Sequence, residues 1–466
     1  MVYNETMQKK TPLPQNREVL KEMSEAIQKT FSDFDVPIKM VDQIEGCRFY
    51  HFYLQPEKPV RMKSVLTFED DLRYALGSSK VTIQAPIPDQ KLIGITVSKK
   101  ELYPEFPWAD VVKTKEFKNS SNLTVPLGVS EFGESMFVDI ASMPHALIAG
   151  TTGSGKSILL HSIISSLLEK NTPETLRFIL CDPKRVEFAV YNGLPELLTP
   201  VISDARKTLR ALTWAIKEMA RRYDILAAEN VQNIAQYHEE IYKPAIKAKN
   251  KSASEIEALP YIIIVMDELA DIMYAYPKEM EALLIRLAQM SRAVGIHLLL
   301  ATQRPTSTVL TAAIKANIPT RIALSLASYV DSRMVIDQNG AEKLSGQGDM
   351  LYLNYDSPVL HRIQAHSLTD SEIQARVNRI KKEKHDVFTL DLDPHSDNGS
   401  NDGTDDLYED AKAAVIEAGK ASTSYLQRKL RIGYSRAALL IDMLEANGVI
   451  GPADGASPRV VIENKE

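Results

Sequence analysis

The chain has 466 residues, room for about three domains, and its 44% hydrophobic and 25% charged residues are ordinary for a folded protein exposed to water. The formal net charge of −6 excludes a surface covered in basic patches, so any nucleic-acid contact must concentrate its positive charge locally. Because the sequence shows no apolar run long enough for a membrane helix and no signal-peptide pattern, and has only two cysteines, we expect a cytoplasmic protein.

The first 110 residues predict a mobile arm followed by a small α+β domain. Residues 1–16 are polar and read as the arm, and residues 17–110 as the domain. A helix is expected over Arg17–Phe34 and another over Val65–Leu76. The strand-like runs are Arg48–Leu54, Lys80–Ala85 and Leu92–Val97. This β-α-β-β order indicates a compact module without a recognisable catalytic group.

Residues 111–380 alternate between apolar strands and helices, which predicts an α/β domain. The expected strands are Ala146–Ala149, Leu176–Leu180, Tyr261–Met266, His297–Ala301 and Arg321–Leu324. Near-continuous apolar strands joined by helices favour a parallel sheet covered on both faces.

A phosphate-binding loop follows the first of these strands. It is formed by Gly150, Thr151, Thr152, Gly153, Ser154, Gly155, Lys156 and Ser157, which fit G-x-x-x-x-G-K-[ST]. Glycines let several N–H groups point at phosphate, and the helix expected at Ile158–Lys170 adds its partial positive charge. Lys156 would reach the β- and γ-phosphates and Ser157 would ligate Mg²⁺, so ATP and Mg²⁺ are the expected cofactors. The alternative is a glycine-rich turn that binds nothing.

Two carboxylates end the strand Tyr261–Met266. Asp267 would hold the Mg²⁺ shell, and Glu268 would deprotonate the attacking water. At the end of the next strand, Gln303 is the candidate sensor of the γ-phosphate. The plainer alternatives are a solvated acidic pair and an ordinary strand-end turn. Arg292, Arg286 and Arg333 are candidates for an arginine that acts across a subunit boundary, and the residues alone do not separate them.

The C-terminal part predicts a flexible linker and a winged helix-turn-helix. Residues 381–405 are rich in Asp, Asn, Ser and Gly and read as the linker. Residues 406–466 show three helices, Leu407–Glu417, Ser424–Leu430 and Ser435–Ala446, and a hairpin of Val449–Ile450 with Val460–Ile462. A basic patch suited to DNA phosphates contains Lys420, Arg428, Lys429, Arg431 and Arg436, with Ser435 beside it at the start of the third helix. A winged helix that binds only protein is the alternative.

These motifs together resemble the FtsK/SpoIIIE family of bacterial DNA translocases. The resembling segments are Met143–Ser157, Asp182–Lys184, Ile262–Asp271, Gly295–Pro305, Lys315–Arg321, Gly346–Met350, Leu430–Ala438 and Gly448–Pro452. The resemblance implies a hexameric RecA-like ring that hydrolyses ATP at subunit interfaces and pulls double-stranded DNA through its centre. It also implies that Arg292 is the trans-acting arginine finger and that Arg304, Lys315 and Arg333 contact DNA in the pore.

The chain departs from the family in three places. Tyr329 stands where relatives often have a lysine, which removes one phosphate contact per subunit. The third helix reads Ser435–Leu439 without the second arginine of its relatives. This sequence does not contain the N-terminal membrane helices of full-length members, so we expect no direct membrane insertion; a soluble variant and a fragment that lacks its anchor are the two alternatives, and the start of the sequence does not decide between them.

The expected function is therefore an ATP-driven translocase of double-stranded DNA that acts in chromosome or mobile-element segregation or transfer. A membrane-anchored protein or a recombinase is a candidate partner. The alternatives are a conjugative coupling or secretion motor of the same ATPase superfamily, and a DNA-binding regulator with weak ATPase activity.

Overall fold

The computed structural model describes residues 16–46, 49–78, 80–87, 91–99, 106–130, 133–248, 256–354, 359–382, 389–390, 392, 408–430, 437, 440–441, 444–445, 447–451 and 459–462. The chain forms two compact units, Met1–Leu390 and Asp391–Glu466. Within the described ranges, no helix is both long and apolar enough to cross a bilayer.

A small antiparallel sheet with helices opens the first unit. Its elements are α1 (Arg17–Asp33), β1 (Ile38–Glu45), β2 (Phe49–Pro56), α2 (Met62–Val65), α3 (Glu69–Leu76), β3 (Val81–Gln84) and β4 (Ile93–Ser98). The strand order is β1-β2-β4-β3. The apolar stripe of α1, which includes Ile27 and Phe31, is fully buried in the core of this module.

Two details of this module differ from the sequence prediction. Strand β1 was missed because half of its residues are polar and only its ends are buried. The helix expected over Val65–Leu76 is shorter in the structure, where it forms α3, and a 3₁₀ turn at Leu66–Phe68 separates it from α2.

The motor follows in the same unit. Its elements are α4 (Trp108–Val111), α5 (Lys115–Asn119), β5 (Thr124–Ser130), β6 (Ser135–Asp139), β7 (His145–Ala149), α6 (Lys156–Lys170), β8 (Leu176–Cys181), α7 (Ala205–Ala228), α8 (Ile234–Tyr237), α9 (Lys243–Ala248), β9 (Tyr261–Met266), α10 (Leu269–Ala275), α11 (Pro277–Met290), β10 (Ile296–Thr302), α12 (Ala312–Asn317), β11 (Thr320–Leu324), α13 (Tyr329–Ile336), β12 (Asp349–Leu353), β13 (Leu360–Gln364) and α14 (Asp370–Ile380).

Nine strands form one mixed sheet in the order β6-β5-β13-β12-β11-β7-β10-β9-β8. The five strands from β11 to β8 are parallel, and all five predicted strands are confirmed to within one residue at either end. They are almost entirely buried because helices cover both faces. The remaining four strands are antiparallel and were not predicted, since β12 and β13 mix polar with apolar residues.

The second unit contains α15 (Tyr408–Ala418), β14 (Lys420–Ala421), α16 (Thr423–Leu430) and β15 (Arg459–Val460). The first two of the three predicted helices are confirmed, and so is the hairpin, in which Ile450 pairs with Val461 antiparallel. The pairing of β14 with β15 was missed. Within the third predicted helix, residues 437, 440–441 and 444–445 are helical, and its other positions fall outside the described residues. Most of the predicted linker also falls outside them.

Candidate nucleotide-binding site

The glycine-rich loop lies at the carboxyl end of β7, between β10 and β11. The three strands are parallel, so their carboxyl ends meet at one edge of the sheet. The Gly150 N–H donates to the Thr302 carbonyl at 3.2 Å, and the Thr151 N–H donates to the Ser325 carbonyl at 3.0 Å. Both neighbouring strands therefore hold the start of the loop.

A later segment of the chain packs against the other side of the loop. The Gly348 N–H donates to the Ser154 carbonyl at 2.7 Å. Gly155 has φ of 99°, and a Cβ built on it would lie 2.4 Å from the Gly348 nitrogen. Only glycine fits this left-handed backbone and this close approach. Sequence reasoning assigned no site role to Gly346–Gly348.

Lys156 and Asp267 form a buried ion pair at the base of the loop. Lys156 is 3% exposed and Asp267 is 1% exposed. The Lys156 Nζ donates to the Asp267 carbonyl at 2.7 Å and also to its carboxylate. Burial raises the pKa of the Asp267 carboxyl, and the Lys156 ammonium opposes that rise.

Glu268 is also buried, and the end of β10 holds its carboxylate. Thr302 Oγ1 donates to Glu268 Oε1 at 2.6 Å, and the Gln303 N–H donates to Oε2 at 3.2 Å. Lys184 Nζ lies 3.4 Å from Oε2. The Gln303 side chain accepts a hydrogen bond from Thr152 Oγ1 at 3.0 Å, so it contacts the glycine-rich loop. The structure therefore brings Lys156, Asp267, Glu268 and Gln303 to one edge of the sheet.

A cavity of about 510 Å³ opens on the loop, within the range of small-molecule sites. Its wall combines the loop with Lys156 and with apolar surface from Phe106 and Ile158. The remaining lining residues include Ser157, Glu187, Gln303, Gln347, Gln364 and His366. This pairing of phosphate-binding N–H groups with apolar surface suits a nucleotide.

Sequence reasoning missed two acidic residues after β8. Asp182 is fully buried, and its Oδ2 accepts the N–H groups of Glu187 and Phe188 at 2.9 and 3.0 Å. Glu187 lines the cavity, and the neighbouring His161, whose Nε2 lies 3.7 Å from Glu187 Oε2, lowers the pKa of its carboxyl. The available sequence signal was the polar segment Asp182–Lys184, which directly follows a buried strand, as Asp267 does.

Arg292 lies at the opposite edge of the sheet. It begins the 3₁₀ turn that precedes β10, and it is exposed. The seven residues of β10 separate it from Gln303, roughly 20 Å along the strand. It does not contribute to the site of its own subunit. The competitors Arg286 and Arg333 are exposed on α11 and α13.

The candidate DNA contacts in the motor differ in exposure. Arg304 is exposed directly after Gln303, and Tyr329 and Arg333 are exposed one turn apart on α13. Lys315 is only 16% exposed, because its Nζ donates to Asp337 Oδ1 at 2.7 Å. A phosphate contact by Lys315 would require that ion pair to open.

In the second unit, Lys429 is exposed on α16, and Arg428 lies on the same helix. Arg431, Ser435 and Arg436 lie outside the described residues.

Comparison with protein families gives three matches in order along the chain. Residues 4–99 match the FtsK alpha domain, residues 109–307 match the FtsK/SpoIIIE family, and residues 402–464 match the Ftsk gamma domain.

Curated relatives include proteins named DNA translocase FtsK. That of Caldanaerobacter subterraneus subsp. tengcongensis is 42% identical over 96% of this chain and 62% of its own length. That of Clostridium tetani is 40% identical over 94% of this chain and 59% of its own length. DNA translocase SftA of Bacillus subtilis is 40% identical over 95% of this chain and 46% of its own length. The chain thus spans less than two thirds of each of these relatives.

Solved structures share the fold. The pCW3 conjugation coupling protein TcpA, in its monomer form with ATPγS, is 24% identical with a TM-score of 0.55 and covers 77% of this chain and 99% of its own. The cytoplasmic domain of the Thermomonospora curvata type VII secretion ATPase EccC is 24% identical with a TM-score of 0.51 and covers 62% of this chain and 36% of its own. From the order of the three domain matches and the identity to curated relatives, we conclude that the chain belongs to the FtsK/SpoIIIE family.

Proposed function

We propose that this chain forms the motor and the DNA-binding part of an ATP-driven translocase of double-stranded DNA. The observation that carries the proposal is the cluster of Lys156, Asp267 and Glu268 beside a nucleotide-sized cavity. About 40% identity to proteins named DNA translocases supports duplex DNA as the cargo. An ATP-driven DNA motor of this kind would work in the cytoplasm.

The cavity suits ATP with Mg²⁺. Phosphates would lie against the loop N–H groups and Lys156, and the base against Phe106 and Ile158. The Ser157 hydroxyl and the Asp267 carboxylate are hard oxygen ligands, and a Mg²⁺ site shared with nucleotide phosphates needs only one or two protein ligands. When bound, the ion would neutralise charge on the phosphates.

Hydrolysis then depends on Glu268 and Gln303. Glu268 accepts a proton from the attacking water, the water oxygen bonds to the γ-phosphorus, and the bond to ADP breaks. Gln303, which already contacts Thr152, reports the presence of the γ-phosphate to the segment that follows it.

The position of Arg292 supports a ring, with a hexamer as the proposed form. Because Arg292 lies at the far edge of its own sheet, it can stabilise phosphoryl transfer only in a neighbouring subunit. Arg304 and Arg333 would contact DNA phosphates and repeat around such a ring, which suits a chain of net charge −6.

The second unit would load or orient the motor on DNA through its basic residues, Lys429 among them. A membrane-anchored protein or a recombinase is the proposed kind of protein partner. The conjugative or secretion motor and the DNA-binding regulator remain as outcomes of the test.

The test is displacement of a triplex-forming strand from duplex DNA, with and without ATP. Lys156→Ala is expected to abolish displacement, and Glu268→Gln to lower hydrolysis by about 10²–10⁴-fold while still binding ATP. Lys113→Ala is the matched control, since the Lys113 side chain is 70% exposed.

A rate of ATP hydrolysis that does not change when duplex DNA is added would contradict the proposal and favour a protein-secreting motor. The absence of turnover and displacement in the unmodified chain would favour the regulator.

A further inference from the structure

The side chain of Thr302 lies between the proposed base and the candidate DNA-contacting residue. Its hydroxyl donates to Glu268 Oε1 at 2.6 Å and accepts the N–H of Arg304 at 3.0 Å. Its carbonyl accepts the N–H of Gly150 at 3.2 Å. Thr302 is 1% exposed, so these bonds are shielded from water. One residue therefore joins the base, the glycine-rich loop and the segment that carries Arg304.

The Thr302 bond is the shortest of those holding the Glu268 carboxylate. The other donors are the N–H groups of Gln303 and Ala270 and the ammonium of Lys184, all at 3.2 Å or more. A short O–H···O⁻ bond is among the stronger hydrogen bonds in proteins. A carboxylate engaged in this way is a weaker acceptor for a proton from water, and it is directed toward β10.

The Arg304 N–H fixes the direction of the Thr302 hydroxyl. Because that N–H occupies a lone pair of Oγ1, the hydroxyl hydrogen points at Glu268. Pro305 is buried and restricts the main chain of Arg304, so a pull on the exposed Arg304 side chain would be passed back toward Thr302.

We propose that Thr302 is a positioning residue that holds Glu268 back until duplex DNA engages Arg304. Movement of the Arg304 main chain removes the bond to Oγ1, the hydroxyl rotates, and Glu268 is released to accept the proton of the attacking water. This inference rests on the proposed function and adds how DNA would stimulate hydrolysis at the same site.

The test compares ATP hydrolysis with and without saturating duplex DNA in Thr302→Val, which keeps the shape of threonine but has no hydroxyl. We expect its DNA-free rate to rise roughly tenfold, the effect of losing one hydrogen bond to a charged group. The ratio of the two rates should fall toward one. Thr302→Ser restores the hydroxyl and should restore the DNA dependence.

Arg304→Gln probes the same route from the other end. Alone it should reduce the stimulation of ATP hydrolysis by DNA. Combined with Thr302→Val it should cause no further loss of that stimulation, because the effects of substitutions at coupled residues are not additive. Tryptophan fluorescence during urea unfolding checks that each variant folds, and Thr302→Ala replaces the valine variant if that one does not.

A lower rate of Thr302→Val under both conditions, or an unchanged ratio, would overturn the inference while leaving the motor intact. An unmodified chain that hydrolyses ATP at the same rate with and without DNA would instead refute the proposed function, and the coupling with it.

Discussion

A methyl group on Gly155 is expected to damage the glycine-rich loop far more than the same group on Gly153. Both residues have positive φ, 99° and 79°. Around Gly153 an added Cβ meets no heavy atom within 4 Å, whereas on Gly155 it would lie 2.4 Å from the Gly348 nitrogen and 2.9 Å from its Cα. These neighbours are backbone atoms, which cannot turn aside as a flexible side chain can.

The two substitutions share one energy term and differ in another. A left-handed backbone disfavours an L-residue by about 1–2 kcal/mol, part of which is offset by the reduced freedom of the unfolded chain. Gly153→Ala should therefore destabilise the motor by about 1 kcal/mol. Gly155→Ala adds steric overlap of about 1–3 kcal/mol and weakens the bond from Gly348 to Ser154. We expect a total of about 3–5 kcal/mol.

Urea unfolding followed by tryptophan fluorescence measures this difference in the motor alone. The chain has two tryptophans, and both Trp108 and Trp214 belong to the first unit. Trp108 also donates to Ser166 Oγ on α6 at 2.7 Å, so it senses the helix that follows the loop. If both variants lost the same stability to within about 0.5 kcal/mol, the packing of Gly348 against Gly155 would be refuted.

Two further predictions concern charge. Burial lowers the pKa of His145 to about 3 and of His297 to about 4. As pH falls, these two histidines become protonated in the unfolded chain before they do in the folded protein. The free energy of unfolding should therefore be highest above about pH 6.5 and should fall by about 1.4 kcal/mol per pH unit per histidine as pH drops toward 5. Urea unfolding at several pH values should show that the free energy of unfolding depends less steeply on pH in the double variant His145→Gln/His297→Gln. An equally steep dependence would show that these histidines do not cause the loss of stability. Asp349, 1% exposed, accepts two hydrogen bonds from Arg362 at 3.0 and 2.8 Å. Asp349→Ala should destabilise by about 3 kcal/mol and Arg362→Met should recover part of this in the double variant; strict additivity would contradict the pairing.

The parallel half of the motor sheet was predictable because its signals are local. A short, continuous apolar run rich in β-branched residues, such as Tyr261–Met266, favours a buried strand, and a glycine-rich loop between strand and helix points to phosphate. Side chains at the carboxyl ends of parallel strands meet at one edge, so the proximity of Lys156 and Asp267 follows once the strands are placed.

The remaining features depend on contacts between distant parts of the chain. The bond from Gly348 to Ser154 and the pairing of Lys315 with Asp337 leave no periodic pattern in the sequence. Strands β12 and β13 extend the sheet by antiparallel pairing although they mix polar with apolar residues. The hydroxyl of Thr302 is one atom at the end of an apolar strand, and only its geometry distinguishes it from an ordinary buried threonine.

The contact between Ser154 and Gly348 also bears on how the chain matures during synthesis. The two residues stand nearly two hundred positions apart. At typical rates of translation this interval takes about 10–40 s, so the glycine-rich loop leaves the ribosome well before the segment that closes it. A nascent motor carries an open loop throughout that time, and the complete nucleotide pocket forms only after synthesis has passed β13.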